Sequence, residues 1–129
     1  MPHSVNNLTG EIIGSAIEVH RTLGPGLLES AYRESLAREL FLRHIPLKQK
    51  WPVPLDYKGL VIRKAYEADL VVADTVVVET KSVESLHPVY EAQLLTYLRL
   101  GGWKVGLLIN FNEVVLKNGI RRRVLNLEE

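Results

Sequence analysis

The 129-residue chain contains no cysteine, one methionine, two tryptophans and two phenylalanines. The missing thiols exclude disulfides and thiolate metal sites, which fits a cytoplasmic protein. The histidines, His3, His20, His44 and His87, show no HxxxH spacing, so a histidine-built zinc site is not expected. No apolar run approaches the roughly 18–20 residues that span a bilayer, and Met1-Pro2-His3-Ser4 lacks a basic-then-apolar signal pattern. No membrane partner is therefore expected. Neither sign of charge dominates: Lys and Arg total 16, Asp and Glu 15, for a formal net charge of +1. No global field announces a nucleic-acid binder. A local footprint survives that argument, because carboxylates that hold a cation lower the formal sum while the ion restores positive charge locally. Arg121-Arg122-Arg123 is the one basic cluster, and it reads first as a solvated face and only second as a phosphate contact.

What is present is an ordinary globular composition, 47% apolar and 24% charged, at a length suited to one domain. Residues 1–7 read as a flexible leader and 8–127 as a single domain. Apolar residues recur at helical spacing from Thr9 to Leu23 and again from Leu28 to Leu42, with Gly24-Pro25-Gly26 breaking the ladder between them. Period-two alternation then begins. Leu47–Tyr57 predicts a strand that is an edge or carries a bulge, because Pro52 and Pro54 lack ladder donors. Leu60–Val72 and Thr75–Lys81 complete an antiparallel meander. Pro88 opens a helix that runs to about Leu100, and Trp103–Phe111 is a further apolar strand, placed parallel to the third by the crossover. A terminal hairpin is expected from Val114–Leu116 and Ile120–Leu125 around Lys117-Asn118-Gly119. The order predicts a layered α/β domain.

Charged residues interrupt this pattern at one informative place. Glu79 and Lys81 end an otherwise buried strand, and residues two apart share a strand face. Burying them costs several kcal/mol unless they pair or hold a metal. A Glu–Lys pair is the plain reading. Asp69, ten positions earlier, adds a second carboxylate if it shares that face. It does so if the loop between the strands is Ala73-Asp74-Thr75, which sets Val72 opposite Val76 and Asp69 opposite Glu79. A two-residue loop would turn Asp69 to the other face. Two carboxylates on adjacent strands can hold a hard divalent cation such as Mg²⁺, leaving positions for water or phosphate oxygens. Such an ion activates water, and a nearby lysine can orient it or screen transition-state charge. Glu29 and Tyr32 share one helical face, and Gln93 and Tyr97 another. Each pair also has a plain structural reading.

The string GPGLLESAY, residues 24–32, resembles the signature of the GxxExxY proteins, a bacterial and archaeal family placed in the PD-(D/E)XK nuclease superfamily. The likeness runs from Leu8 to about Leu127 and includes AYEADLVV around Asp69, VVVETKSV around Glu79, and AQLLTYLRLGGWKVGLLINF. It implies a restriction-endonuclease-like αβββαβ core with an extra N-terminal helix and a C-terminal hairpin. It further implies Asp69 and Glu79 as metal ligands, Lys81 as the catalytic lysine and Glu29 as an accessory acid that completes or supports the metal shell. Gln93 and Tyr97 match the QxxxY motif of RecB-like and exonuclease-like members. Ala68 stands where the superfamily's name has proline. The expected activity is Mg²⁺- or Mn²⁺-dependent phosphodiester hydrolysis on DNA or RNA. The alternative is a non-catalytic nucleic-acid-binding or regulatory module on the same scaffold, which the near-zero net charge favours. A homodimer would let two sites address two strands, although no interface signal stands out.

Overall fold

Ser4 opens the first helix by accepting a hydrogen bond from the Asn7 N–H, the usual role of a serine N-cap. The computed structural model describes residues 4–125. Helix α1 spans Val5–Leu23 and α2 Glu29–Leu42; strands β1, Leu47–Tyr57, β2, Leu60–Val72, and β3, Val76–Lys81, follow. Helix α3, Pro88–Gly101, leads to β4, Val105–Asn110, and β5, Ile120–Val124, closes the chain. Residues 5–7, expected in a leader, are therefore helical. Residues 1–3 and 126–127 lie outside the described part.

The five strands lie in the order β1-β2-β3-β4-β5, antiparallel except for the parallel β3–β4 pair across α3. Both expectations for the proline strand hold. β1 is the edge, and its register against β2 shifts between Val53 and Leu55, at Pro54.

Alternation along the central strands builds two cores. Leu70, Val72, Val76 and Val78 face α1 and α2, packing with Ile12, Leu36 and their neighbours. Val71 and Val77 face α3, against Leu94 and Leu98. β4 is buried at every position, as a strand covered on both faces should be.

The expected C-terminal hairpin is absent. Val114 and Val115 are exposed, Leu116–Gly119 form a turn of 3₁₀ helix, and Ile120–Val124 pair directly with β4. The edge of β4 was open, so the final strand joined the main sheet instead of folding on a short partner. The Asn-Gly pair serves a close approach: a Cβ at Gly119 would lie 2.6 Å from the Asn110 carbonyl oxygen.

Candidate metal centre and active site

The loop between β2 and β3 decides where Asp69 points. Val72 opposes Val76, so Ala73-Asp74-Thr75 is the three-residue connection. Ala73 and Asp74 adopt φ of 51° and 53°, and the Thr75 N–H donates to the Val72 carbonyl 3.0 Å away. The same register, carried on, sets Asp69 across from Glu79, on the face that Val71 and Val77 present to α3.

Backbone pairing between β2 and β3 ends at Leu70–Val78, and the two carboxylates take over beyond it. Thr80 donates its N–H and its hydroxyl to Asp69 Oδ2, at 2.9 and 3.0 Å. The Asp69 N–H donates to Glu79 Oε2 at 2.7 Å. Each carboxylate thus anchors one oxygen on backbone. Asp69 Oδ1 and Glu79 Oε1 make no hydrogen bond to a described residue, so each side chain keeps one oxygen to offer.

The electrostatics show two acids crowded in a poorly solvated place. Glu79 is 5% exposed. Burial, and then the Asp69 charge, push its pKa up to about 8. Burial also raises Glu29, with Lys81 opposing and Asp69 adding to the shift. Tyr97 is pushed up to about 12, first by burial and then by Glu79 and Asp69. Its phenol stays protonated across the physiological range.

The plain Glu–Lys pairing is not what the structure contains. Among the described residues Lys81 makes no ion pair; its ammonium lies 4.7 Å from the centre of the Tyr90 ring. Tyr97 packs against Tyr66 of β2 with ring centres 5.4 Å apart. Gln93 sits between Tyr90 and Tyr97 along α3, one helical turn from each, and is exposed.

Glu29 comes from the opposite layer. Tyr32 is fully buried and stacks on Phe111 at 4.6 Å, while its hydroxyl donates to the Gly24 carbonyl and accepts from the Leu27 N–H. Ser82, just past Lys81, donates to the Leu27 carbonyl at 2.6 Å. These contacts clamp the 24–28 loop to the end of β3 and bring Glu29 within electrostatic reach of Lys81 and Asp69. Tyr32 positions the loop. Tyr32→Phe should cost about 1–2 kcal/mol, lowering the melting temperature by about 3–8 °C and reducing any Glu29-dependent activity. An unchanged melting curve would show that the loop is held by other contacts.

Several neighbours escaped the sequence reading. Asn110 is buried and binds Val83 through both ends of its amide, tying the loop after Lys81 to the end of β4. Arg33, one turn beyond Glu29, has a side chain only 14% exposed. Its Nε is a buried nitrogen without a partner among the described residues. The i,i+4 spacing from Glu29 was the available signal. No group of three His, Asp or Glu converges closely enough to hold a metal among the described residues.

The profile of the PD-(D/E)XK nuclease superfamily matches residues 6–123. The chain belongs to this superfamily. Searches of curated proteins and of solved structures returned no match. The five-stranded mixed sheet flanked by α1, α2 and α3 agrees with the restriction-endonuclease-like fold of PD-(D/E)XK proteins, and membership supports a nuclease-type function in general. No helix is long and apolar enough to cross a membrane among the described residues. PD-(D/E)XK nucleases typically use a divalent metal. The donor set fits one: two carboxylates with one free oxygen each, one of them held protonated by burial and by its neighbour's charge, both of which a bound cation would offset.

Proposed function

We propose that the protein is a Mg²⁺- or Mn²⁺-dependent nuclease of the GxxExxY type that hydrolyses DNA or RNA phosphodiester bonds. The observation that carries this reading is the pairing of Asp69 and Glu79 at the point where the β2–β3 ladder opens. Such crowding of acids destabilises a fold unless a ligand uses it.

Asp69 and Glu79, each with one oxygen outside the hydrogen bonds that join them, would hold the cation, with Glu29 as the accessory acid. When bound, the cation polarises a phosphoryl oxygen and acidifies a water. Lys81, which has no ion pair to a described residue, is the catalytic lysine that orients the attacking water and screens charge in the transition state. Arg33, one turn beyond Glu29, favours the ionised form of that acid. Tyr97, protonated at working pH and close enough to feel both carboxylate charges, and Gln93, exposed on α3, border the site. A cytoplasmic location and a homodimer complete the reading.

The direct test is cleavage of labelled single- and double-stranded DNA and RNA by the purified protein. Products should form with Mg²⁺ or Mn²⁺, stop on chelation and resume when metal is restored. Equal cleavage in chelator, or none of any substrate with either metal, would refute the proposal.

A further inference from the structure

The β1–β2 ribbon is covered only at its root. Val53 and Ala68 are buried with Leu94 and Leu98 of α3, while β3 stops pairing with β2 at Leu70–Val78. Residues 54–66 extend beyond this cover, exposed or half-exposed throughout. At strand rise the tip of β2 stands roughly 25 Å from Ala68.

An isolated two-stranded ribbon is marginal in water, and this one is apolar on one side. Cross-strand pairing sets Leu55 against Ile62 and Tyr57 against Leu60, so these four share a face. Tyr57 is 61% and Leu60 62% exposed. A patch of that kind marks a contact surface.

Charge selects the partner. Lys58, Arg63 and Lys64 lie on residues 54–66 with one carboxylate, Asp56, which is engaged by the Gly59 N–H at 3.0 Å; Glu67, just below them, pairs with Lys64 at 2.9 Å and leaves Lys58 and Arg63 in excess. Arg63 makes no ion pair with a described residue. The chain as a whole is near neutral, so this concentration of cations is local. Two copies meeting ribbon to ribbon would bring those cations together, which disfavours a second chain as the occupant. A nucleic-acid strand offers phosphates to the cations and flat apolar bases to the Tyr57 face. The ribbon is rooted at the candidate site, since it runs through Tyr66, packed on Tyr97, to Asp69.

We propose that residues 54–66 form an arm that grips the nucleic-acid strand presented to the Asp69–Glu79 site. Lys58, Arg63 and Lys64 contact phosphates, and Leu55, Tyr57, Leu60 and Ile62 contact bases. This inference rests on the nuclease reading above.

The test is binding of fluorescein-labelled 20-mer DNA and RNA, single- and double-stranded, by fluorescence anisotropy in chelator, where cleavage is off. The combined Lys58→Glu, Arg63→Glu and Lys64→Glu variant replaces exposed side chains and should fold normally. It should bind at least about tenfold more weakly, with the slope of log affinity against log salt smaller by about 2. Tyr57→Ala with Leu60→Ser should weaken binding at an unchanged salt slope. In the metal-supplemented assay the charge variant should raise KM and leave kcat alone.

Wild-type affinity and slope in the charge variant would overturn the arm while metal-dependent cleavage left the nuclease reading standing. A wild-type protein that binds none of the oligonucleotides and cleaves none would remove both. Leu60→Asp with Ile62→Asp converting a dimer to a monomer, at unchanged oligonucleotide affinity, would assign the surface to a second copy and overturn the arm.

Discussion

Asp69→Asn is expected to reduce metal-dependent cleavage by about 10²–10³-fold or more, the loss typical of removing one preorganised charge-stabilising group. The substitution keeps an oxygen where Thr80 donates its N–H and hydroxyl, so the break between β2 and β3 stays bridged. Only the charge is removed. The same change relieves the Asp69 repulsion that helps to hold Glu79 protonated, so the metal-free variant should melt at or above the wild-type temperature. Activity and stability should therefore move apart. A variant that loses both would mean that Asp69 serves mainly to bridge the strands; one that loses neither would remove it from the chemistry.

Glu79→Gln should separate the same two quantities more widely, and with a pH signature. The folded pKa of Glu79, about 8, lies above its ordinary value of 4.5. Below pH 4.5 folded and unfolded forms both hold the proton, and the stability is fully present. As pH rises from 4.5 toward 8, the unfolded chain releases the proton while the folded one keeps it. Stability then falls by roughly 1 kcal/mol per pH unit across that window and levels off above it. Glutamine carries no such proton. In chelator the Gln variant should melt above wild type, by a margin that grows between pH 5 and pH 8 and is small at pH 4.5. Its cleavage should be abolished. Added Mg²⁺ should raise the wild-type melting temperature at pH 8 and leave the variant unmoved. A margin independent of pH would show that Glu79 is not held protonated in the fold.

The parts of the fold legible in the sequence were those governed by local chemistry. Pro52 and Pro54 cannot donate to a ladder, and they mark the edge and the register shift. Loop parity is where local chemistry stops deciding: the sequence allows two or three residues between β2 and β3, one fewer than Ala73-Asp74-Thr75 would reverse every side chain of β2 relative to β3, and the Val72–Val76 pairing selects three. The C-terminal hairpin misled because Val114, Val115 and Leu116 look like a strand. The free edge of β4, a property of the whole sheet, captured Ile120–Val124 instead.

The site divides along the same line. The shared face of Glu79 and Lys81 follows from strand period, and the structure adds Asp69 across from Glu79. That each carboxylate would fasten one oxygen to the neighbouring backbone was not legible, because it depends on where the ladder stops. Nor was the loose end of Arg33. An arginine on a helix is ordinarily a surface residue, and only the tertiary packing buries its Nε without an acceptor. Lys81 differs from its plain reading for a similar reason: Tyr90, from the layer above, takes the place next to the ammonium that Glu79 was expected to fill.

Mn²⁺ binding, measured by calorimetry on wild type and Asp69→Asn and then located by anomalous scattering from a soaked crystal, bears most directly on the proposed centre. The predicted result is an ion bridging Asp69 and Glu79 in the wild type, with its binding heat lost in the variant. No binding at millimolar Mn²⁺, or an ion seated away from both carboxylates, would contradict the account.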